Sequence, residues 1–310
     1  MTLGGIDIVV LIASLMSAST PILLAAIGEL VAERSGVLNL GVEGMMIVGA
    51  ICGFVVAVHS GSPVLGFFAA AAAGAAMAVL FAFLTQVLLS NQVATGLALT
   101  LFGLGLSALM GQGYNGLKPP STPDIRFGPL ADIPVIGPIL FSHDWVLYLS
   151  LLIVLGTWVF LTHSRAGLVL RAVGENHDAA HALGYRVRLI RTAALAWGGA
   201  CAGLGGAYLS LVRVPQWAEG MTAGAGWIAL AIVVFASWRP WRVLLGAYIF
   251  GGVTVLQLRL QAAGIAIPVQ ILSTAPYLIT ILVLVVMSAR RGRAALGAPA
   301  ALGRVFHASN

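Results

Sequence analysis

Long apolar runs alternate with short polar breaks along the chain. They lack the every-second-residue alternation of a barrel strand, and each is close to the roughly 20 residues a helix needs to cross a bilayer. The pattern predicts spans near 6–27, 42–58, 64–88, 93–112, 144–163, 192–212, 222–238, 243–262 and 271–288. The expected fold is all-α, a polytopic bundle of about nine transmembrane helices. Between the fourth and fifth spans, Pro119, Pro120, Pro123, Pro129, Pro134 and Pro138 keep 113–143 from forming another. Small residues recur at four-residue spacing within the spans. Gly66, Ala70, Gly74 and Ala78 form one stripe; Gly199 and Gly203, beside Gly198, Ala202 and Gly206, form a second. Such stripes let helix backbones approach closely, and they predict packing inside the bundle in preference to a subunit interface.

Composition points the same way. Hydrophobic residues make up 60% of the chain and charged residues 8%, against about 25% charged in a soluble domain. Mean hydropathy is +1.01. Lipid is the main solvent of such a chain, and lipid forces every backbone amide to find an internal partner. The net charge of +6 is not a nucleic-acid footprint, because the arginines fall in short connections between spans. With a cytoplasmic C-terminus, Arg34, Arg165, Arg171, Arg186, Arg188, Arg191, Arg239, Arg242, Arg290, Arg291, Arg293 and Arg304 face inward. Only Lys118, Arg126, Arg213 and Arg259 then face outward. This bias puts the N-terminus outside, 113–143 in the external loop and 164–191 in the main cytoplasmic loop. A membrane domain over 1–290 and a basic cytoplasmic tail over 291–310 follow. Asp7 and no Lys or Arg precede the first apolar run, which reads as a span and not as a cleaved signal. Cys52 and Cys201 lie in apolar runs and read as buried small residues without a disulfide.

Two breaks are unusual. The first, ERSGVLNLGVEG at 33–44, packs charge, Asn39 and three glycines between apolar runs. It reads either as a polar turn, with Glu33 and Arg34 pairing locally, or as a re-entrant break that turns Asn39 and Glu43 toward a solute path. Glu43 then needs water or a partner, since an unpaired carboxylate at the bilayer centre costs about 2.5–3.5 kcal/mol. The second is the loop SRAGLVLRAVGENHDAAHALGYRVRLIR at 164–191. Asn176 is a natural N-cap, Asp178 suits the first turn, Ala179, Ala180 and Leu183 share a face, and Gly184 ends the helix. A short capped helix with a small apolar face predicts docking to a cytoplasmic partner.

These stretches also carry a resemblance. RAVGENHDAAHALGYRVRLIRTAALAWGGACAGLGGAY is similar to the coupling loop and following span of ABC importer permeases of the branched-chain amino acid/ribose/nucleoside group. ERSGVLNLGVEGMMIVGA, NQVATGLALTLFGLGLS (91–107), MTAGAGWIALAIVVFASWRPWRVLLGAYIFGG (221–252) and LQLRLQAAGIAIPVQILSTAPYLITILVLV (256–285) resemble its nucleoside-type members. The likeness implies a non-enzymatic permease subunit in the inner membrane, for nucleosides or related purine compounds, paired with a longer homologous permease as a heterodimer. It implies a cytoplasmic ATPase, which holds ATP and Mg, and an external solute-binding protein. It implies coupling to that ATPase through Glu175, Asn176, Asp178, Ala179, Ala180, Leu183 and Gly184. Two departures stand out: Gly224-Ala225-Gly226 lacks an arginine common in the subgroup, and Trp217 and Trp227 replace frequent phenylalanines. Both are expected near the outer mouth of one span. The only lysine is Lys118 and no G-x-x-x-x-G-K-[ST] exists, so ATP hydrolysis through a P-loop requires another polypeptide.

The remaining polar positions fill out the expected solute path. Gln257 and Gln261 lie four apart on one face of an apolar span and either bond a neighbouring helix or meet a solute. Asn91 opens the span near Val93 as a cap or a gate. His177 and His181 stand at metal-ligand spacing, but no further ligand completes a set, and solvated loop histidines are the expectation. The rival readings are a sugar or branched-chain amino acid importer of the same fold, and an ion-coupled carrier. The latter needs intramembrane carboxylates, for which Glu43 is the one serious candidate.

Overall fold

The computed structural model describes residues 2–3, 6–262 and 297–307, with five single positions between 274 and 285. The expected span 271–288 lies otherwise outside the described residues. A short ladder of β1 (Thr2–Leu3) and β2 (Ile6–Asp7) precedes α1, Ile8–Arg34. Then come α2 (Val42–Ser60), α3 (Pro63–Ala82) and α4 (Gln92–Gly111). The 113–143 region holds β3 (Asp124–Arg126), a 3₁₀ turn and α5 (Ile136–Leu140), with β4 (Ser142–Asp144) at its end pairing antiparallel to β3. Helices α6 (Trp145–His163), α7 (Arg165–Glu175), α8 (His177–Ala182), α9 (Val187–Tyr208), α10 (Ala225–Phe235) and α11 (Pro240–Ala262) follow. Among the described residues, seven helices are long and apolar enough to cross a membrane.

The first span runs past residue 27 to Arg34, because nothing between breaks helical geometry before Gly36 takes φ +89°. This brings Glu29 and Glu33 inside a span, contrary to the expectation that Glu43 is the lone intramembrane carboxylate. The expected span 222–238 is corrected to the 11-residue α10, about 16 Å long and too short to cross about 30 Å of hydrocarbon. Left-handed residues bound it on both sides: Gly220, Ala223 and Gly224 before it, Ser237 and Trp238 after it.

The small-residue stripes meet at the centre of the bundle. Helix α3 lies along α9, with Ala70, Gly74 and Ala78 against Gly199 and Gly203, and α9 also lies along α1 and α2. A Cβ on Gly74 would collide with the carbonyl of Gly199, and one on Gly203 with that of Ala70. Backbone-to-backbone contact is therefore the packing mode, as the four-residue spacing predicts. Helices α3 and α9 each end in a π turn, 83–87 and 209–213, whose extra residue per turn turns Thr85, Gln86 and Ser210 inward.

Residues 297–307, within the expected basic tail 291–310, pack on the rest of the chain. Ala301 N–H donates to Gly174 O (2.9 Å), Gly303 N–H to Gly36 O (3.1 Å), and Phe306 is buried with Val173, Ala180 and Val187.

Candidate functional site

Three non-helical joints converge around α10, and buried carboxylates hold them. The first joint, 35–41, leaves α1 at Gly36 and enters α2. Several of its polar groups are bonded within the protein: Leu38 N–H donates to Gln92 Oε1 (2.9 Å), Gly41 N–H to Asn39 Oδ1 (3.0 Å) and Thr100 Oγ1 to Leu40 O (3.1 Å). Asn39 is fully buried and its amide approaches Glu29 Oε2 at 3.3 Å. The segment is thus a packed break. It is not a turn in water: Asn39 is fully buried, and Leu38 and Leu40 are half-buried.

Glu43, one residue into α2, reaches across to the second joint. Its carboxylate accepts from Thr222 Oγ1 (2.5 Å), Gly224 N–H (2.9 Å) and Gly226 N–H (2.6 Å). These donors are the start of α10, where backbone N–H groups lack helical partners and the helix dipole favours negative charge. Glu43 is therefore an N-cap supplied from another helix, 3% exposed. Its partners are two backbone N–H groups and one hydroxyl, and it does not project into water. Gly226 packs directly on the backbone of Val42 and Glu43. The stretch Gly224–Gly226 accordingly lies on this buried junction, not at an outer mouth. Trp217 does pack at the far end of α4, against Gly111, and Trp227 is exposed.

The third joint, 236–239, leads into α11. Ser237 and Trp238 both hold positive φ, +51° and +54°, a conformation costing roughly 1–2 kcal/mol per non-glycine residue. Neighbours from α1 fix it: Trp238 Nε1 donates to Glu33 Oε2, and Arg34 donates through Nε and Nη2 to Trp238 O (3.2 and 2.9 Å). Glu33 and Arg34 therefore do not pair with each other as expected; they grip opposite ends of one residue. One oxygen of Glu29 and one of Glu33 have no hydrogen-bond partner among the described residues.

The cytoplasmic-loop helix forms as its sequence signals require. Asn176 Oδ1 accepts from Ala179 N–H (2.9 Å), and Gly184 at φ +86° ends α8. Its expected apolar face is divided, however. Ala180 is buried with Phe306, whereas Asp178, Ala179 and Leu183 are exposed, Leu183 by 78%. Six residues span fewer than two turns, so one tail-facing side and one open side are all that α8 offers. Glu175 is exposed and its Oε2 accepts from Ala300 N–H (3.3 Å).

His177 is not a solvated histidine. It is buried, its ring sits edge-on to Phe306, and its Nδ1 lies 3.1 Å from Nη2 of Arg191. Arg191 is wholly buried and links four parts of the chain. It donates to Ser35 O (3.2 Å) in the first joint, Gln86 Oε1 (3.4 Å) after α3, Arg304 O (3.1 Å) and His177. Arginine carries donors only, so His177 Nδ1 accepts and the ring is neutral. Burial, and next Arg191, lower the His177 pKa from its ordinary 6.5; Asp178 opposes this and Arg304 adds to it.

Asn91 caps α4 through Ala94 N–H (3.0 Å) and is exposed, while Gln257 and Gln261 are half-buried on α11. Sequence reasoning missed Glu29, Arg191 as a hub, Trp238, and the buried Tyr208 hydroxyl bonded to Asp144 Oδ2 (2.7 Å). For Arg191 the signal was present: Arg191, Leu195, Gly198 and Ala202 follow one helical face, all buried. Among the described residues, no group of three His, Cys, Asp or Glu could hold a metal.

Residues 11–289 match the family described as branched-chain amino acid transport system, permease component. The chain is 44% identical to a putative glucose ABC transporter permease protein, TsgC13, of Haloferax volcanii, over 93% of this chain and 94% of the relative. It is 32% identical to the nucleoside ABC transporter permease protein NupC of Lactococcus lactis, over 89% and 91%. It is 32% identical to the guanosine ABC transporter permease protein NupQ of Bacillus subtilis, over 86% and 88%. No solved structure matches the chain.

Proposed function

From the premise that this chain belongs to the branched-chain amino acid transport system permease family, and so is the non-catalytic membrane subunit of an ABC importer, we propose that its solute is a monosaccharide. The carrying observation is the 44% identity, along nearly the whole of both chains, to a permease named for glucose. A nucleoside is the second reading, favoured by the two relatives named for nucleosides and guanosine. Both solutes present a ring of hydroxyls, and Gln257 and Gln261 offer paired amide donors and acceptors for such groups. The ion-coupled alternative gives way to family membership, even though α1 carries the carboxylates it required.

The family implies an ATPase and a solute-binding protein as partners. In our reading ATP and Mg reside on that ATPase, the N-terminus is external, and the permease pairs with a second homologous permease. The ATPase engages Asp178, Ala179 and Leu183 on the open side of α8. Movement of α8 passes through His177 and Arg191 to Ser35, along the first joint to Glu43, and so to the start of α10. The contacts supporting this route are hydrogen bonds of 2.5–3.2 Å at each change of element.

Uptake of labelled glucose and, separately, of a labelled nucleoside by the reconstituted importer, each competed by unlabelled hexoses and nucleosides, tests the solute. Competition by hexoses alone supports the first reading; competition by nucleosides with hexoses inert replaces it with the second. Gln261→Leu should shift the ranking of competitors. An unchanged ranking with lower thermal stability would assign Gln261 to helix packing.

A further inference from the structure

A groove of about 720 Å³ that the transport reading leaves unused lies between α6, α7 and α9, with Val31 of α1 behind it. Its walls are apolar, including Ile153, Gly156, Phe160, Val169, Ile190 and Trp197; the one polar lining side chain, Thr157, is buried. Leu152 and Trp197, both in spans, are exposed at its edge, so it opens sideways into the hydrocarbon of a bilayer. Along α9 it extends from Ile190 to Trp197, about 10 Å.

One end of the groove has different chemistry. Arg186 immediately precedes α9, four residues before Ile190, which with Ala193 and Trp197 follows one helical face. Arg165 opens α7 and shares a side with Val169 four residues on. Both arginines are exposed, and neither makes an ion pair among the described residues. The start of α7 and the start of α9 thus place two exposed arginines next in sequence to the groove's lining residues Ala166 and Ile190, at one end of a hydrocarbon-lined slot. An anion joined to an alkyl chain matches both halves, and arginine binds phosphate oxygens in bidentate geometry.

We infer that this groove is a binding site for one anionic glycerophospholipid, with an acyl chain along α6 and α9 and its phosphate at Arg165 and Arg186. The site is walled in part by α7, which leads directly into α8, so a bound lipid would brace the segment that carries the proposed ATPase-facing helix. Gly156 makes it testable, because a Cβ there meets nothing within 4 Å and a large side chain can fill the groove without collision. The full-length protein, extracted with its accompanying subunits, is titrated with dioleoylphosphatidylglycerol or dioleoylphosphatidylcholine and bound lipid is counted by native mass spectrometry. One phosphatidylglycerol should be retained at about 30-fold lower concentration than phosphatidylcholine, from about 1 kcal/mol for each of the two arginines near the headgroup. The Arg165→Ala/Arg186→Ala double variant should lose that preference, and Gly156→Trp should lose retention of both lipids, each with unchanged thermal stability. Undiminished retention in Gly156→Trp, or an intact preference in the double variant, would overturn the site. So would a Gly156→Cys variant that holds no lipid and crosslinks to a neighbouring subunit, because the groove would then be a protein interface.

Discussion

Glu43 shows how a residue's neighbours, and not its own segment, decide its role. Its carboxylate takes three donors from the start of α10, so two oxygens serve as a cap that the local sequence of α10 lacks. Glu43→Gln leaves one acceptor oxygen and turns an amide N–H₂ against a backbone donor. The expected loss is about 1.5–3 kcal/mol, as for hydrogen bonds to a buried charged group. Thr222→Val removes one donor and should cost about 1 kcal/mol. Thermal unfolding of the two variants in detergent checks the order; equal stability of Glu43→Gln and wild type would dismiss the capping role. The need of Glu43 for a partner was legible from its place in an apolar chain. The partner was not, because Gly224 and Gly226 lie about 180 residues away and present only backbone. Arg34 and Glu33 teach the same point: adjacent opposite charges suggest a pair, yet in a helix neighbours one apart do not face each other.

At the scale of elements, periodicity performed best where one helix meets another over many turns. The α3 and α9 stripes were readable as packing surfaces because the four-residue spacing is itself the contact geometry. Gly203→Leu should separate α3 from α9 and prevent stable folding, at a cost of about 3 kcal/mol or more for overpacking a backbone contact. Folded yield by size-exclusion chromatography measures it, with Gly105→Leu, where a Cβ meets nothing within 4 Å, as the tolerant comparison. Helix α10 failed as a span because its hydrophobicity looks the same whether it crosses half a bilayer or all of it. Only the left-handed residues on both sides distinguish the cases, and Ser237 and Trp238 are not residue types that announce such a conformation. Helix α8 was legible in its caps but not in its faces. Its docking carries a pH dependence through His177, whose docked form is neutral and whose pKa is lowered. When undocked, the ring takes a proton near 6.5; when docked, only at lower pH. Between those values the docked state binds fewer protons, so docking is complete above about 6.5 and weakens as pH falls through that window. Hydrogen exchange across α8, once corrected for the intrinsic pH dependence of amide exchange, should therefore quicken on acidification from neutrality to about pH 5.5. Gln at 177 retains an acceptor for Arg191, and His177→Gln should abolish the acceleration.

Across the whole molecule, the arginine-rich end is assembled from parts distant in sequence, and 297–307 closes it. This segment covers Ala180 with Phe306, bonds Gly174 and Gly36, and supplies Arg304 O to Arg191. It thereby joins α7, α8, the start of α9 and the first joint into one unit. Sequence composition alone marked 291–310 as a basic tail, since a short run of alanines and arginines carries no periodicity that reveals where Phe306 inserts. Cysteine reactivity distinguishes a strap from a loose tail. In a background with Cys52 and Cys201 replaced, Ala179→Cys should react freely with a small aqueous thiol reagent and Ala180→Cys should resist it. Removing residues 297–310 should equalise the two and reduce uptake while membrane insertion stays normal, because Arg191 loses an acceptor and His177 its ring contact. A buried arginine left short of one partner costs about 1–3 kcal/mol, enough to loosen the link from α8 to Ser35 without unfolding the α3–α9 centre. If Ala180→Cys already reacts in the full chain at the rate of Ala179→Cys, the segment does not hold α8, and the route from the ATPase face to Glu43 must run without it.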